Sequence, residues 1–458
     1  MEVWFHTFGC KANQYDTERI RQDLESRGAA AVITPAGADV AVINTCTVTN
    51  RADADARSLV RRLRRRHPHL RILVVGCSAA LREAEYGAMD EVDEVVPGQD
   101  PAAVAGALVG AGGYEARPGV AAPTRLVGIA PSGRRRAASS VLHESRRGTR
   151  AWLKVQDGCD RRCSFCATRL ARGSSRSRPP EEILREARTL ANGHPELVIT
   201  GIHIGHYGRD LSRQVTLGRL VGRLLEELPE TRFRLGSIEA TEIDDTLADL
   251  LWTSGGGLAP HLHLPLQSGS DAVLRRMRRW HTREQYRRRV LEIAGRLPVL
   301  GLGADVIVGF PGEGAAEFAE TRELIHELPY TYLHVFPFSV REGTPAAGLP
   351  DRVPGRVVVE RARELRELAR RKGEAYRVKR VGGEADVVVE GAARVGGGLT
   401  GDYLRVELRG NGVRPGDRVR ATLRGDAGCL WVRPSPGVPP SPGVPRATRR
   451  RPPRRWPP

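Results

Sequence analysis

Strand-like and helix-like patterns alternate along most of this chain, and that alternation limits its fold more than any other feature. "VWFHTFGC" is a strand-like run ending at Cys10, "DVAVINTC" a second ending at Cys46, and "RILVVGC" a third ending at Cys77. Helical periodicity fills the gaps, over 14–27 with Ile20 and Leu24, and over 52–66 with Leu59, Val60 and Leu63. Strand–helix–strand alternation implies a parallel sheet with right-handed crossovers. In such a sheet the strand C-termini share one edge, where ligands bind. Cys10, Cys46 and Cys77 are therefore expected on one rim. A single buried thiol is ordinarily inert, but three at the same strand-end position point to a shared metal site.

Residues 101–147 read as a connector, rich in Gly, Ala and Pro and then in Arg and Ser. A second alternating series follows, with strands predicted over 152–156, 197–202, 233–238, 261–266, 302–310 and 332–336. Helical stretches separate them, among them 180–191, 242–253, 283–296 and 313–328. Six βα units in succession suggest an open or closed α/β barrel, with functional loops just after each strand. Those positions carry the cysteine-rich loop, "TGIHIGHYG", "SIEATE", "QSGSD", "GFPGE" and "PFSVREGTPA". Each is small, polar or Gly-rich, as a ligand-contacting loop requires.

A long charged helix near 357–377 leads into "EADVVVEG", "GLTGDYLRVEL" and "GDRVRATLRG". These short alternating runs with Gly/Asp turns predict a small antiparallel barrel, a fold that either binds RNA or acts as a structural cap. The last residues, rich in Pro and Arg, cannot bury a core. Cys429 stands alone and reads as a packed small residue.

A length of 458 residues suggests two to four domains. The net charge of +18 fits either an arginine-rich solvated surface or a polyanionic partner such as nucleic acid. No signal peptide and no membrane-spanning run is visible, so a cytoplasmic protein with reduced thiols is expected. Seven cysteines there suggest metal or redox chemistry rather than disulfides.

"QDGCDRRCSFCATR" holds Cys159, Cys163 and Cys166. A zinc finger normally supplies paired cysteines from two turns, giving four ligands. Here the spacing is Cys-x3-Cys-x2-Cys, with no fourth Cys or His in the loop. Such a loop can hold three corners of a [4Fe–4S] cubane and leave one iron open to chelate a small molecule.

With an aromatic residue before its last cysteine, this loop resembles the CxxxCxΦC motif of radical S-adenosylmethionine enzymes. With Cys10, Cys46 and Cys77, the barrel and the terminal β domain, the chain to about residue 435 resembles the methylthiotransferases. "TFGCKANQYDT", "NTCTVTNRAD", "TGIHIGHYGRDL", "HLHLPLQSGSD" and "ADVIVGFPGE" are most similar to the tRNA threonylcarbamoyladenosine branch. The resemblance implies an α/β architecture in parts. These are an N-terminal parallel sheet domain (1–125), a basic linker (126–147), a radical (βα)6 partial barrel (148–375), a TRAM RNA-binding β-barrel (376–435) and a disordered tail (436–458).

It also implies two [4Fe–4S] clusters and S-adenosylmethionine. Cys159, Cys163 and Cys166 would bind the radical-generating cluster, and Cys10, Cys46 and Cys77 a second one. Phe165 would pack near the cofactor adenine, and Gly201 would let backbone approach its amino-acid portion. Ser237, Glu239, Gln267, Ser268 and Gly269 would lie at its polar groups, although Glu239 reads equally as an ion-paired rim carboxylate. Asn13 and Asn44 read as neighbours of the second cluster or as helix caps. Arg172, Arg176 and Arg178 read as contacts to cofactor carboxylate or RNA phosphate, or as solvated charges. After Cys166 this chain has Ala167-Thr168-Arg169, where the family often has apolar residues and a proline.

The implied reaction is methylthiolation of C2 of threonylcarbamoyladenosine next to the anticodon. The C2–H bond has no useful acidity and no leaving group, so a carbon radical is the means of opening it. The implied partners are the tRNA anticodon stem-loop and an electron donor such as flavodoxin or ferredoxin, with a monomeric enzyme and no membrane. Isopentenyladenosine in tRNA, a ribosomal protein aspartate, or a noncatalytic iron–sulfur RNA sensor are the competing readings.

Overall fold

The computed structural model describes residues 1–109, 141–143, 145, 148–212, 214–390, 396–410 and 412–434. Most of the expected linker 126–147 and all of the expected tail 436–458 lie outside the described residues.

The N-terminal sheet is built from β1 (Glu2–Thr7), α1 (Lys11–Ser26), β2 (Ala30–Val32), β3 (Val40–Thr45), α2 (Asn50–Arg66), β4 (Arg71–Gly76), α3 (Cys77–Leu81), α4 (Glu83–Gly87), β5 (Glu94–Pro97) and α5 (Pro101–Val109). All neighbouring strands pair in parallel, in the order β2-β1-β3-β4-β5. The central strands are buried on both faces through Val40, Ala41, Val42, Ile43, Ile72, Leu73, Val74 and Val75, which is why they read as unbroken apolar runs. The edge strands β2 and β5 are short and partly exposed, so no such run announced them. α5 corrects the reading of residue 101 onward as connector, since Val104, Ala105 and Leu108 pack it into the sheet's core. The strand order reverses between β1 and β3, and at such a switch point neighbouring loops diverge and leave a crevice. Cys10 follows one of these strands and Cys46 the other.

The central unit begins with β6 (Arg150–Lys154). An antiparallel pair, β7 (Gln156–Asp157) and β8 (Arg176–Ser177), then brackets the cysteine loop and α6 (Thr168–Arg172). There follow α7 (Pro180–Ala191), β9 (Glu196–Thr200), α8 (Leu217–Glu227), β10 (Arg232–Leu235), α9 (Asp245–Thr253), β11 (His261–His263), α10 (Asp271–Arg276), α11 (Arg283–Arg296), β12 (Gly301–Val308), α12 (Ala315–Glu327), β13 (Tyr332–Pro337) and α13 (Gly355–Arg380). The strands form two parallel sheets, β10-β9-β6 and β11-β12-β13, joined by the bridge Ser237↔His263. The six predicted strands thus run in sequential order around an arc whose edges are β6 and β13.

Side chains alternate in and out along these strands. Ala151, Leu153, Leu197, Ile199, Phe233, Leu235, Leu262, Leu302 and Ala304 join the apolar core under the helices. The intervening positions give the barrel interior Arg150, Trp152, Lys154, Glu196, Arg234, His261, His263, Asp305, Tyr332 and His334. The interior is therefore polar, suited to a ligand rather than to packing alone.

The C-terminal unit has β14 (Glu384–Glu390), β15 (Gly397–Thr400), β16 (Arg405–Leu408), β17 (Arg418–Thr422), β18 (Arg424–Gly425) and β19 (Leu430–Val432), in the order β17-β14-β15-β16-β19-β18. Only the buried Leu423 separates β17 from β18, so one bent segment borders both ends of the sheet and curls it closed. β16 and β19 pair in parallel, while the other neighbouring strands of this sheet pair antiparallel as the expected small barrel requires.

This small barrel plugs the base of the large one. Glu196 is fully buried there between Arg232 Nε at 2.6 Å and Arg234 Nε at 2.9 Å. The remaining guanidinium nitrogens reach the carbonyls of Asp386, Leu399, Thr400 and Gly401 at 2.7–3.1 Å. Burial raises the Glu196 pKa, but Arg232 and Arg234 outweigh it and hold the carboxyl well below its ordinary range. The N-terminal unit spans the open side. Tyr15 and Asp16 meet Glu186 and Lys154 on the β6 side, while Asp53 pairs with Arg341 at 2.8 Å beyond β13.

Candidate active site

The rim of the N-terminal sheet brings Cys10, Cys46 and Cys77 together as the strand-end argument required. Gly9 (φ +95°) allows the contact: a Cβ there would lie 2.5 Å from Cys46 Sγ. Asn13 Nδ2 donates to the Phe8 and Thr45 carbonyls at 3.0 and 2.9 Å, tying the first two loops. Asn44 Nδ2 donates to the Asn13 carbonyl and to Thr17 Oγ1, each at 3.0 Å. Neither asparagine caps a helix; both brace the crevice. Gln99 Nε2 and Arg172 Nε each approach Cys77 Sγ to 3.2 Å.

The second loop is pinned on both sides. Gly158 (φ +70°) packs so closely that a Cβ would lie 1.9 Å from the Ser174 carbonyl oxygen. Ser164 donates from N to the Met277 carbonyl at 3.0 Å and from Oγ to the Arg276 carbonyl at 2.7 Å. Cys159 Sγ lies 3.4 Å from His203 Nδ1, Cys163 Sγ 3.7 Å from Arg279 Nη1, and Cys166 Sγ 3.2 Å from Thr168 Oγ1. His203 and His206 stack at 3.9 Å and both approach Glu242, which Arg161 also pairs with at 2.6 Å.

Both triads fit an iron–sulfur cluster better than one ion. Each offers three thiols, one short of the four ligands of a closed tetrahedral site. Elsewhere among the described residues, His203–His206–Glu242 and His263–Asp305–His334 each converge within 4.8 Å. Three thiolates can hold three corners of a cubane and leave its fourth iron open, whereas a structural tetrahedral ion takes four protein ligands. Burial pushes the Cys46 and Cys159 thiols up to about 12. Burial also raises Cys77 and Cys163, against the pull of Arg172 and Arg279. Such thiols stay protonated until a metal cation reverses the balance.

Other expected residues have definite places. Phe165 packs with Val273, Met277, Phe310 and Ala346 beneath the loop. Gly201 is needed for a close approach to Gln156, whose carbonyl would sit 2.7 Å from a Cβ. Ser237 is exposed beside the strand bridge. Glu239 is buried and pairs with Arg279 at 2.5 Å. Gln267 (φ +68°) continues the β12 edge, donating to the Asp305 carbonyl at 2.8 Å. Ser268 and Gly269 turn away from the rim onto Thr321 of α12. Arg169 donates to the Asp160 carbonyl at 3.1 Å within the loop.

The arginine readings need correction. Arg172 is buried and donates to Asn13 Oδ1 at 2.5 Å, Asp16 Oδ2 at 2.8 Å and Asp157 Oδ1 at 2.9 Å. It therefore connects the helix after Cys166 to the Cys77 thiol, a residue neither solvated nor free for phosphate. Arg178 is held by Glu186, Tyr15 and the Lys154 carbonyl. Arg176 alone of the three is exposed.

Sequence reasoning missed Lys11, Arg279, His203, His206 and Glu242. Lys11 directly follows Cys10 and extends into the barrel, 6.0 Å from the Trp152 ring centre. Burial, then Arg150 and Arg234, lower its pKa to about 8.

Family models match "Uncharacterized protein family UPF0004" over residues 2–98 and "Radical SAM superfamily" over residues 153–325. The threonylcarbamoyladenosine tRNA methylthiotransferase MtaB of Bacillus subtilis (strain 168) is 38% identical, over 89% of this chain and 90% of its own length. The tRNA-2-methylthio-N(6)-dimethylallyladenosine synthase of Bacillus cytotoxicus is 31% identical, over 90% of this chain and 81% of its own. In fold, the chain is similar to the radical S-adenosylmethionine methyltransferase TsrM of Kitasatospora setae, with a TM-score of 0.54, 16% identity and coverage of 76% and 77%. A radical domain of this kind implies a [4Fe–4S] cluster and S-adenosylmethionine. The two family matches fall on the N-terminal sheet and the partial barrel, and relatives named tRNA methylthiotransferases align over most of their length: the chain belongs to the radical S-adenosylmethionine tRNA methylthiotransferase family.

Proposed function

We propose that this enzyme methylthiolates C2 of N6-threonylcarbamoyladenosine next to the anticodon of tRNA. The observation that carries this reading is the single guanidinium of Arg172, which reaches from the radical loop's helix to the Cys77 thiol of the other triad. Cys159, Cys163 and Cys166 would hold the cluster that takes S-adenosylmethionine, and Cys10, Cys46 and Cys77 a second [4Fe–4S] cluster. Bound there, the first supplies a carbon radical and the second the sulfur. Arg172 holds the two loops face to face, with Asp16 and Asp157 fixing its fork. Arg279 braces Cys163 from the far side and is itself held by Glu239.

Relatives named for the threonylcarbamoyl substrate are 38% and 36% identical, against 31% for the dimethylallyl synthase, which favours the former. The polar barrel interior supports the same choice, because a prenyl group gains little beside Arg234, His263 and Asp305. The C-terminal barrel would act as a TRAM domain. Its Trp431 lies under Arg409 and Arg424 at 4.8 and 5.6 Å, the aromatic-plus-cation surface on which RNA bases stack. An electron donor such as flavodoxin or ferredoxin would reduce the radical cluster, and the enzyme would act as a cytoplasmic monomer. No helix among the described residues is long and apolar enough to cross a membrane.

Mass spectrometry of tRNA nucleosides from cells with and without the protein tests the substrate. Loss of 2-methylthio-threonylcarbamoyladenosine on deletion is expected. Loss confined to the methylthio-isopentenyl nucleoside would transfer the activity to the other substrate.

A further inference from the structure

We propose that Lys11 selects the substrate by pairing its ammonium with the carboxylate of the threonylcarbamoyl group. This deepens the substrate reading above and rests on it. Lys11 is half-buried, and among the described residues its ammonium has no ion pair and no hydrogen bond. The carboxylates of the barrel interior are already taken. Glu196 serves Arg232, Arg234 and Arg150, and Glu390 serves Arg150. Asp16 and Asp157 serve Lys154 and Arg172. Asp305 serves His263 and His334.

A partly buried ammonium with no counter-ion is unfavourable, and a bound carboxylate removes that cost. Among the described residues the carboxylate that acts on it, Glu196, is already shared by three arginines, so a ligand is the natural source.

Position in the fold agrees. In adenine, C2 and the N6 nitrogen flank N1 on one edge of the ring. A residue that meets the N6 substituent must therefore stand beside the group that acts on C2. Lys11 is the residue after Cys10, and its side chain leaves that rim toward Trp152 inside the barrel. A dimethylallyl substituent would leave the ammonium unpaired, so the same side chain that attracts one substrate disfavours the other.

The test uses cluster-loaded enzyme under anaerobic conditions with three anticodon stem-loop RNAs. They carry threonylcarbamoyladenosine, its methyl ester, and dimethylallyladenosine. Binding constants and methylthiolated product are measured for wild type, Lys11→Gln and Lys11→Arg. Iron content and RNA-independent cleavage of S-adenosylmethionine report that the clusters are intact. Wild type should bind the acid about tenfold more tightly than the ester, the size of one charge-assisted hydrogen bond. Lys11→Gln should erase that difference and Lys11→Arg should retain most of it. Discrimination that survives in Lys11→Gln overturns the proposal. So does a wild-type enzyme that binds acid and ester alike, a comparison that needs no variant to fold. Wild type that methylthiolates only the dimethylallyl RNA refutes the substrate reading itself. Wild type that turns over the threonylcarbamoyl RNA without acid–ester discrimination refutes Lys11 alone.

Discussion

Arg172→Met should loosen the joint between the two cysteine-bearing loops. The guanidinium donates to Cys77 Sγ, Asn13, Asp16 and Asp157 at 3.2, 2.5, 2.8 and 2.9 Å from a buried position. Removing one partner of a buried ion pair costs about 3–5 kcal/mol, since the remaining charge stays desolvated. Lys154 still reaches Asp16 at 2.6 Å and Asp157 at 2.8 Å, which keeps the loss near the lower end, about 3 kcal/mol. At about 1.4 kcal/mol per factor of ten, the joint should open roughly a hundredfold more often. Native-state hydrogen exchange on iron-loaded protein reads this directly, as faster exchange in α1 and α6 with distant α11 unchanged. Arg172→Lys keeps the charge but not the fork and should fall between the two. If α1 and α6 in Arg172→Met exchange within about threefold of wild type, the joint is not held by this side chain.

The two triads should be separable by single substitutions. Gly158→Ala puts a Cβ 1.9 Å from the Ser174 carbonyl and should cost about four of the eight irons expected from two clusters, as measured by iron analysis. Loss of all iron, or of none, would contradict this. Cys46→Ala should still cleave S-adenosylmethionine but form no methylthiolated RNA. Methylthiolated product from that variant would remove the second triad from the reaction.

Docking of the C-terminal barrel should resist acid. The folded Glu196 pKa lies below its ordinary 4.5, so its stabilisation is complete above that value and is lost only as pH falls through the depressed one. Limited proteolysis between β13 and β14 should be unchanged from pH 7 to about 5. Release of the barrel within that range would show that Glu196 does not hold it.

The cysteine rims were legible because they obey a local rule. A parallel strand ends at one edge, so a residue type recurring at strand ends must cluster there, and Cys10, Cys46 and Cys77 do. The central strands β3 and β4 were legible through unbroken apolar runs, whereas β2 and β5 were too short to show one. Arg172 and Arg178 were misread because an arginine in a Ser-rich segment looks solvated until its distant partners are known. Those partners, Asp16 and Tyr15, lie more than a hundred residues away. Lys11 carries no local signal, because only the docked barrel shows that its ammonium forms no ion pair among the described residues.

Sequence alone pointed to the two cysteine triads, the parallel α/β order and the barrel's strand count, because spacing and periodicity are properties of neighbouring residues. Only the tertiary structure decided how the units meet. It put Arg232 and Arg234, held by Glu196, under the carbonyls of a barrel more than a hundred and fifty residues on, and joined the two cysteine loops through Arg172. Buried charges choose their partners by three-dimensional proximity in a low dielectric, and no local pattern records that choice.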